Sequence, residues 1–340
     1  IHRWLRGREV DRIESLWEPL VLLAARLRDR FGVPGMSADT VLGFRDKQLM
    51  KERVATAGLR VPKARRVSTR REVWAAAEEI GYPLILKPIA GAGSADTYRV
   101  DSADELRRLL PQIRHVHEAS CEEFIDGDEF TYDTISINGT PAYENVAQYL
   151  PRPLIARTDE SLSPVICTLR NLDQPAIRPG IQLGRGVLRA LGMGSGFTHM
   201  EWYRTREGEV VFGEIGCRPG GARLVDQMNY TGDIDLFREW GRAVTSGRFA
   251  ARTERRFNTA IIFKRARGRG RITRHEGLAD FIHRYRQWIC AEDLLPLGAQ
   301  RRNWLHTLVS DGWLMVRHPE WRQTLEIARA AADEVTLYAE

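Results

Sequence analysis

The sequence predicts a mixed α+β protein of two or three subdomains, and three observations support that class. At 340 residues the chain is too long for one small domain. Apolar residues recur with helical spacing over residues 17–30, whereas the alternation typical of strands begins near Tyr82. Residues 255–340 contain both patterns and predict a small α+β lobe. The hydrophobic content of 43% is sufficient for a substantial core.

Helical and strand patterns alternate along most of the chain. The predicted helices cover residues 17–30, 40–57, 71–80, 101–110, part of 172–191 and 233–245. The predicted strands cover residues 83–88, 97–100, 121–125 and 130–137. A Gly/Pro sequence at 32–35 stops the first helix, and Ser68 or Thr69 is the expected N-cap of the third. No internal repeat and no low-complexity tract interrupts this order.

Charge narrows the classes of ligand. The chain has 51 Lys+Arg against 45 Asp+Glu, a net charge of +6 that favours anionic small molecules or nucleic acid without choosing between them. The four cysteines, Cys121, Cys167, Cys217 and Cys290, lack C-x-x-C spacing, so we expect reduced thiols in a cytoplasmic protein. No apolar run approaches the ~20 residues needed to span a bilayer, and no signal-peptide pattern is found.

Two glutamates give the most specific signal. Strand-like segments at 199–203 and 210–215 flank a turn. If Glu207-Gly208 is the centre of that turn, antiparallel pairing places Glu201 directly opposite Glu214. Cross-strand neighbours start roughly 4.5–5.5 Å apart at Cβ, and like charges there repel. A cation between them would remove the repulsion, and Mg²⁺ commonly binds one or two carboxylates together with phosphate oxygens. The alternative is a hairpin with two solvated carboxylates.

Upstream segments supply the other parts of a nucleotide site. Lys87 ends a strand that leads into the glycine-rich turn Gly91–Ser94, whose backbone N–H groups could approach phosphate oxygens. The turn joins two strands, so it is neither a P-loop nor a Rossmann turn. Residues 121–129 offer a short apolar strand, suited to an adenine, followed by a carboxylate suited to ribose hydroxyls. Each segment alone is more often a plain turn or an edge strand.

The ordered set resembles the ATP-grasp superfamily of carboxylate–amine ligases. Its members are Lys47, Lys87 with the glycine turn, E-E-F-I-x-G-x-E at 122–129, H-x-E at 199–201 and E-I-x-x-R-P-G-G at 214–221. The resemblance covers about residues 31–247. The C-terminal segment, with 294–298 and 311–313, is similar to the branch of bacterial L-amino-acid ligases and biotin-carboxylase-like enzymes. The fold implied is the ATP-grasp fold, in which the nucleotide lies between two α+β subdomains.

The resemblance implies a role for each candidate residue. ATP phosphates would be held by Lys47, Lys87, Gly93 and Ser94, adenine by Glu122, Glu123, Phe124 and Ile125, ribose by Glu129, and the nucleotide–metal site would also include His199. Mg²⁺, for which Mn²⁺ is a substitute, would be bound by Glu201 and Glu214. Arg218 would face the reacting carboxylate, and the N–H groups of Gly220 and Gly221 would stabilise an oxyanion.

One position departs from the family pattern. The family has Asn two residues after the second glutamate, where it contributes a metal ligand, and this chain has Gly216. The hairpin register places His199 opposite Gly216. Because imidazole is a poor ligand for Mg²⁺, we expect water to complete the coordination. The number of metal ions, one or two, stays open.

The resemblance also implies an activity and a domain division. A carboxylate would attack the γ-phosphate of ATP, and an amine would then attack the acylphosphate, forming an amide or peptide bond in specialised metabolism with release of ADP and phosphate. The expected domains are an N-terminal remnant at 1–35, an ATP-grasp domain at 36–250 with its lid at about 82–135, and a C-terminal lobe at 251–340. The chain begins without Met, and we expect part of the N-terminal lobe to be missing.

Two alternatives to a ligase stay open. The basic run Lys264–Arg271, followed by Arg274 and His275, could contact nucleic-acid phosphates, although it lacks interleaved aromatic residues. We expect instead a strand–turn–strand with solvated arginines. Gly216 also leaves room for a regulatory ATP-binding protein without ligase turnover. The favoured partners are small-molecule carboxylates and amines, with no membrane and no nucleic acid, and a homodimer is compatible with the resemblance.

Overall fold

The computed structural model describes residues 5–89 and 96–340. In chain order the helices are α1 (Val21–Phe31), α2 (Ala38–Gly43), α3 (Lys47–Thr56), α4 (Arg70–Ile80), α5 (Ala103–Leu109), α6 (Pro153–Ala156), α7 (Arg178–Ala190), α8 (Leu224–Gly232), α9 (Leu236–Ser246), α10 (Leu278–Tyr285) and α11 (Trp321–Glu334). Single turns of 3₁₀ helix cover Glu18–Leu20 and Arg286–Trp288.

The strands are β1 (Ala64–Val67), β2 (Leu84–Pro88), β3 (Tyr98–Val100), β4 (Ala119–Glu123), β5 (Gly127–Ile137), β6 (Thr140–Leu150), β7 (Val165–Thr168), β8 (Gly196–Thr205), β9 (Val210–Gly216), β10 (Asn258–Phe263), β11 (Arg267–Gly268), β12 (Ile272–Glu276), β13 (Ile289–Leu294), β14 (Gly312–His318) and β15 (Thr336–Ala339). They form a small sheet in the order β1-β4-β2-β3, a large sheet in the order β13-β14-β10-β7-β6-β5-β8-β9, and a third sheet in the order β11-β15-β12.

Helix α7 covers one face of the large sheet at very close range. A Cβ at Gly180 would lie 2.3 Å from the ring of Trp202, and one at Gly184 would lie 2.3 Å from the ring of Tyr132. Both aromatic side chains are fully buried, and Trp202 stacks on Phe130 with ring centroids 4.7 Å apart. The glycines therefore let the helix pack directly onto the aromatic layer, and the functional side chains described below project from the other face.

The small sheet forms with α4 and α5 a second layer that carries Lys87. Leu84, Leu86 and Leu106 are completely buried in its core. Of the two expected N-caps of α4, Ser68 and Thr69, the structure has Thr69, which forms a capping box with Glu72. The sheet begins at β1, before the predicted lid at 82–135, and β5 belongs to the large sheet.

Three sequence expectations need correction. The helix predicted at 40–57 is two helices, because the side chain of Asp46 accepts hydrogen bonds from the N–H groups of Gln48 and Leu49 and starts α3 afresh. Strands β6 and β7 were not predicted. Strands β10, β13 and β14 extend the large sheet, so half of the strands of the C-terminal segment share a sheet with the preceding residues. The domain limits themselves stay a prediction. Within the described ranges, no helix has the length and apolarity that crossing a membrane requires.

Candidate active site

The two glutamates face each other as the sequence predicts. Strands β8 and β9 pair Glu201 with Glu214 and His199 with Gly216. Beyond Glu201 the register shifts by one residue, so that Trp202 pairs with Phe212. The predicted register is therefore wrong on the turn side of this β-bulge. A Cβ at Gly213 would lie 2.8 Å from the carbonyl oxygen of Glu201, which is why the bulge needs glycine.

Lysines converge on these glutamates from two other elements. Lys47, the first residue of α3, places its Nζ 3.2 Å from Oε2 of Glu214. Lys87, at the end of β2, has its Nζ 3.5 Å from the same oxygen and 3.1 Å from Oε2 of Glu122. Lys51 Nζ lies 2.9 Å from Oε1 of Glu122. Three lysines and two glutamates thus form one cluster of ion pairs, in which the lysines are in excess.

Burial and neighbouring charges shift the pKa values of the cluster. Burial alone would raise the pKa of Glu122, but Lys51 and Lys87 outweigh it and lower the pKa to about 2. Burial also opposes the charge of Lys87, yet Glu122 and Glu214 together raise its pKa. The same competition lowers the pKa of Glu214 through Lys47 and Lys87. Glu201 differs, because burial and the charge of Glu214 both raise its pKa.

The glutamate pair suits a divalent cation that brings further ligands with it. Among residues 5–89 and 96–340, no group of three or more His, Cys, Asp or Glu side chains is arranged to hold a metal ion. Glu201 and Glu214 offer hard oxygen atoms on rigid strands, which fit Mg²⁺ when phosphate oxygens complete its shell. His199 lies beside the pair: its Nδ1 is 2.6 Å from Oδ1 of Asp133, and its Nε2 is 3.8 Å from Oε1 of Glu201.

A small pocket next to the cluster contains the residues predicted to hold a nucleoside. Glu122, Glu123, Phe124, Ile125 and Glu129 all line it. The side chain of Glu122 turns to the lysines. The side chain of Glu123 forms an ion pair with Arg60, whose NH2 lies 2.9 Å from Oε1 of Glu123. The predicted Gly93 and Ser94 lie outside the described residues.

Arg152 contacts three parts of this pocket. Its Nε lies 3.1 Å from Oε2 of Glu129, and its NH1 donates a hydrogen bond of 2.8 Å to the carbonyl of Ile125. Its guanidinium also lies over the rings of Phe124 and Tyr203, at 5.1 and 5.0 Å. Burial and the charge of Glu201 raise the pKa of Glu129 to about 8 in spite of Arg152. Sequence reasoning missed Arg152.

Arg218 is held by a carboxylate from the N-terminal segment. Its Nε donates a 2.5 Å hydrogen bond to Oε2 of Glu18, whose other oxygen pairs with Arg45. Asp226, an acid close to Arg218 in sequence, pairs with Arg223. A Cβ at Gly216 would lie 3.1 Å from Oε2 of Glu18. Gly216, the departure from the family pattern, therefore leaves the space that the Glu18 carboxylate fills.

A long cleft of about 760 Å³ runs from the glutamates across the large sheet. Its lining includes Arg218, Gly220 and Gly221, and it shares Lys47, Glu201 and Glu214 with the small pocket. We call this the glutamate end. The opposite end is lined by Arg157, Arg265, Trp304, Leu305 and His306, and we call it the arginine end.

Sequence reasoning could have found Lys51 but not the remaining partners. Lys51 follows Lys47 by four residues, so both lie on one face of α3. Glu18, Arg45 and Asp133 reach the site only through tertiary contacts, and no local motif marks them. In the basic run, Lys264 is buried and donates to the carbonyls of Ala331 and Ala332, so the run is not a uniform solvated face.

The geometry agrees with comparisons to known proteins. Residues 46–125 match the family described as the carbamoyl-phosphate synthase L chain, ATP binding domain. A crystal structure of L-amino acid ligase from Bacillus licheniformis superposes with a TM-score of 0.81 at 21% identity, covering 100% of this chain and 83% of that one. N5-carboxyaminoimidazole ribonucleotide synthetase from Thermotoga maritima gives a TM-score of 0.70 at 18% identity, covering 95% and 81%. The chain therefore carries an ATP-grasp domain, as predicted.

Within that superfamily, the similarities include amino-acid ligases. The L-arginine-specific L-amino acid ligase of Bacillus subtilis is 28% identical over 67% of this chain and 56% of its own length. Alanine–anticapsin ligase of Bacillus subtilis is 26% identical over 66% of this chain and 52% of its own length. The chain thus spans about half the length of these curated relatives. The resemblance to the L-amino-acid-ligase branch is confirmed.

Proposed function

We propose that the protein is an ATP-dependent carboxylate–amine ligase that works through an acylphosphate. One observation carries the proposal. Among the residues that the structure describes, the charged residues that line both the small pocket and the long cleft are Lys47, Glu201 and Glu214. A nucleotide in the pocket would direct its terminal phosphate to that junction, and a carboxylate in the cleft would reach it from the other side. Positioning and charge neutralisation are what phosphoryl transfer requires.

ATP and Mg²⁺ are the groups that this junction fits. Lys47 and Lys87 would exchange their contacts with Glu214 for phosphate oxygens, and Glu201 and Glu214 would then hold the cation. Bound Mg²⁺ neutralises phosphate charge, and Mn²⁺ can replace it because it accepts the same oxygen ligands. Phe124, Ile125 and Glu129 would contact the nucleoside.

In the first step, a carboxylate oxygen of the substrate bonds to the γ-phosphorus while the bond to the ADP oxygen breaks. In the second step, the amine nitrogen bonds to the acyl carbon, the carbon–oxygen bond to phosphate breaks, and the amine loses a proton to solvent. Arg218 would hold the carboxylate in the first step. The N–H groups of Gly220 and Gly221 would face the oxyanion of the second.

Amino-acid-like substrates suit the contacts of Arg218. The side chain of Glu18 lies beside the guanidinium, 2.5 Å from its Nε. A substrate that carries an ammonium group next to its carboxylate would find a partner for each charge here. Two relatives, an L-arginine-specific L-amino acid ligase and an alanine–anticapsin ligase, support the same class of substrate. Specialised metabolism is the setting we propose.

Nucleotide products test the proposal. The protein is incubated with ATP, Mg²⁺ and pairs drawn from the twenty standard L-amino acids, and products are resolved by chromatography. We expect ADP and phosphate in equal amounts with the new amide. AMP with pyrophosphate would indicate adenylation and overturn the acylphosphate step. Nucleotide binding without turnover for any pair would favour the regulatory alternative.

A further inference from the structure

Arg265 has an unusual environment at the arginine end of the cleft. Its guanidinium carbon lies 4.3 Å from the ring centroid of Trp304, and its NH1 donates to the carbonyls of Ala156 and Asp159, both at 2.8 Å. Its Nε is buried without a hydrogen-bond partner. In the described part of the chain no carboxylate comes within ion-pair distance of Arg265. A guanidinium has five N–H donors, so most of its capacity is unused.

The carboxylates near Arg265 are bound to other groups. Asp159 accepts two hydrogen bonds from Ser161, at 2.8 and 2.7 Å, and Glu160 pairs with Arg301. Asp311 is fully buried and accepts from Arg301 at 3.3 Å and from two backbone N–H groups. Burial lowers the pKa of Arg265 to about 10, and the charges of the nearby carboxylates offset this effect only in part. The positive charge at this end of the cleft is therefore under-neutralised.

Sheet geometry places Arg265 far from the glutamates. Five adjacent strands connect Glu201 on β8 with Thr259 on β10. The residues in register between them are Thr131, Ala147 and Thr168. Four inter-strand steps correspond to roughly 19 Å. Arg265 follows two residues after the end of β10 and reaches back into the cleft from there. The roughly 19 Å separates the backbones of Glu201 and Thr259, so the cleft extends over several strands beyond the glutamates. We assign its arginine end to a second substrate.

We propose that Arg265 binds an anionic group, a carboxylate, on the amine substrate. This inference rests on the ligase function proposed above. Because Arg218 holds the acyl group against the phosphates, the amine must approach the acyl carbon from the side of Arg265. NH1 is occupied by the two carbonyls and Nε is buried, so NH2 is the nitrogen left to donate to a carboxylate. The charge makes that hydrogen bond a strong one, and stacking on Trp304 fixes the plane of the guanidinium. The amine substrate is accordingly an amino acid or peptide with a free carboxylate, and not a simple amine.

Binding measurements test this without requiring turnover. Isothermal titration in the presence of MgADP compares each of the twenty standard L-amino acids with its carboxamide. For wild-type protein we expect at least one acid to bind about tenfold or more tightly than its amide, the scale of one charge-assisted hydrogen bond. Arg265→Met should remove that preference, and Arg265→Lys should restore part of it. If no acid is preferred, or if Arg265→Met keeps the preference, the subsite does not exist.

Arg274→Met is the matched control. Arg274 also lies over an aromatic ring, 4.2 Å from that of Tyr338, but it pairs with Glu276 and does not line the cleft. Its substitution should leave every affinity unchanged. In steady-state assays, Arg265→Met should raise KM for the amine at least tenfold and leave KM for ATP unchanged; a rise confined to the acyl substrate would overturn the assignment. An Arg265-dependent preference without ADP release would instead refute only the ligase function.

Discussion

The two ends of the long cleft use charge in opposite ways. At the glutamate end, Lys47, Lys51 and Lys87 each lie within 3.5 Å of a glutamate oxygen. At the arginine end, Arg265 is partly desolvated and has no carboxylate partner among the described residues. A paired cluster keeps its shape without ligand, and an incoming phosphate must exchange one ion pair for another. A guanidinium without a carboxylate gains its first anionic partner when a ligand arrives, so it contributes more to selectivity.

Substitution of Glu214, at the glutamate end, gives the largest expected effect on the rate of ADP release. Glu214→Ala removes a cation ligand and leaves Lys47 and Lys87 without their shared carboxylate. We expect ADP release to fall by at least about two orders of magnitude, the scale of losing a major electrostatic stabiliser, while circular dichroism shows an intact fold. Steady-state ADP release at saturating ATP is the measurement.

Glu209→Ala is the control for this hairpin. Glu209 lies at its turn and pairs with Arg60 on a largely exposed surface. Its substitution should leave turnover within about twofold, since exposed ion pairs contribute little. Near-wild-type activity of Glu214→Ala would show that the glutamate end does not hold the cation.

Substitution of Arg218 separates the cleft from the nucleotide pocket. A lysine keeps the charge but cannot reproduce the bidentate geometry of a guanidinium. Arg218→Lys should leave MgATP affinity within a few-fold and reduce ligation about a hundredfold. Isothermal titration and steady-state rates for the same preparation check both. Arg223→Lys, next to Asp226 on the surface, should change neither. Loss of ATP binding with unchanged chemistry would move Arg218 to the nucleotide.

The pH dependence of the unfolding free energy gives the smallest expected effect, and it tests the lysine–glutamate cluster alone. The ordinary pKa of Glu122 is 4.5, and Lys51 and Lys87 lower it to about 2 in the folded protein. The unfolded chain therefore binds more protons in this window, so the contribution of Glu122 is complete above pH 4.5 and is lost as the pH falls towards 2. Between pH 5 and pH 3, wild-type unfolding free energy should fall more steeply than that of Glu122→Gln, by at most about 2 kcal/mol.

Urea titrations at each pH measure this difference. Lys51→Met should reduce it, because one of the two cations that stabilise the Glu122 carboxylate is gone. Equal slopes for wild type and Glu122→Gln would mean that the cluster does not stabilise the folded state through its charges.

The same division between the two ends explains what could be predicted from sequence. Glu201, Glu214 and Lys87 belong to strands whose alternation is visible locally, and the register of one hairpin is enough to bring the glutamates together. Lys47 and the segment 122–129 indicate a nucleotide site only because they occur in the same order along the chain as the corresponding motifs of the ATP-grasp superfamily. The mixed α+β class and the ATP-grasp fold followed from these patterns, and the comparisons confirm both.

The remainder depends on contacts that no local pattern records. Glu18 meets Arg218 across 200 positions of sequence. Strands β7 and β6 lie between β10 and β5 in the large sheet, and that order puts Arg265 in the same cleft as Glu201. The break at Asp46 was missed because the apolar pattern of a long helix outweighed a single capping residue, although the cap decides where α3 begins.

The bulge at Gly213 has a consequence for how the chain tolerates change. Inserting one residue into a regular hairpin sends every later side chain to the opposite face. Here the strands change register between Glu201 and Trp202, so the pairing of the two glutamates and the pairing next to the turn follow different registers. Arg206, Glu207 and Gly208 at the turn are exposed. The tip of this hairpin is therefore a natural place for a fluorescent label or an affinity tag.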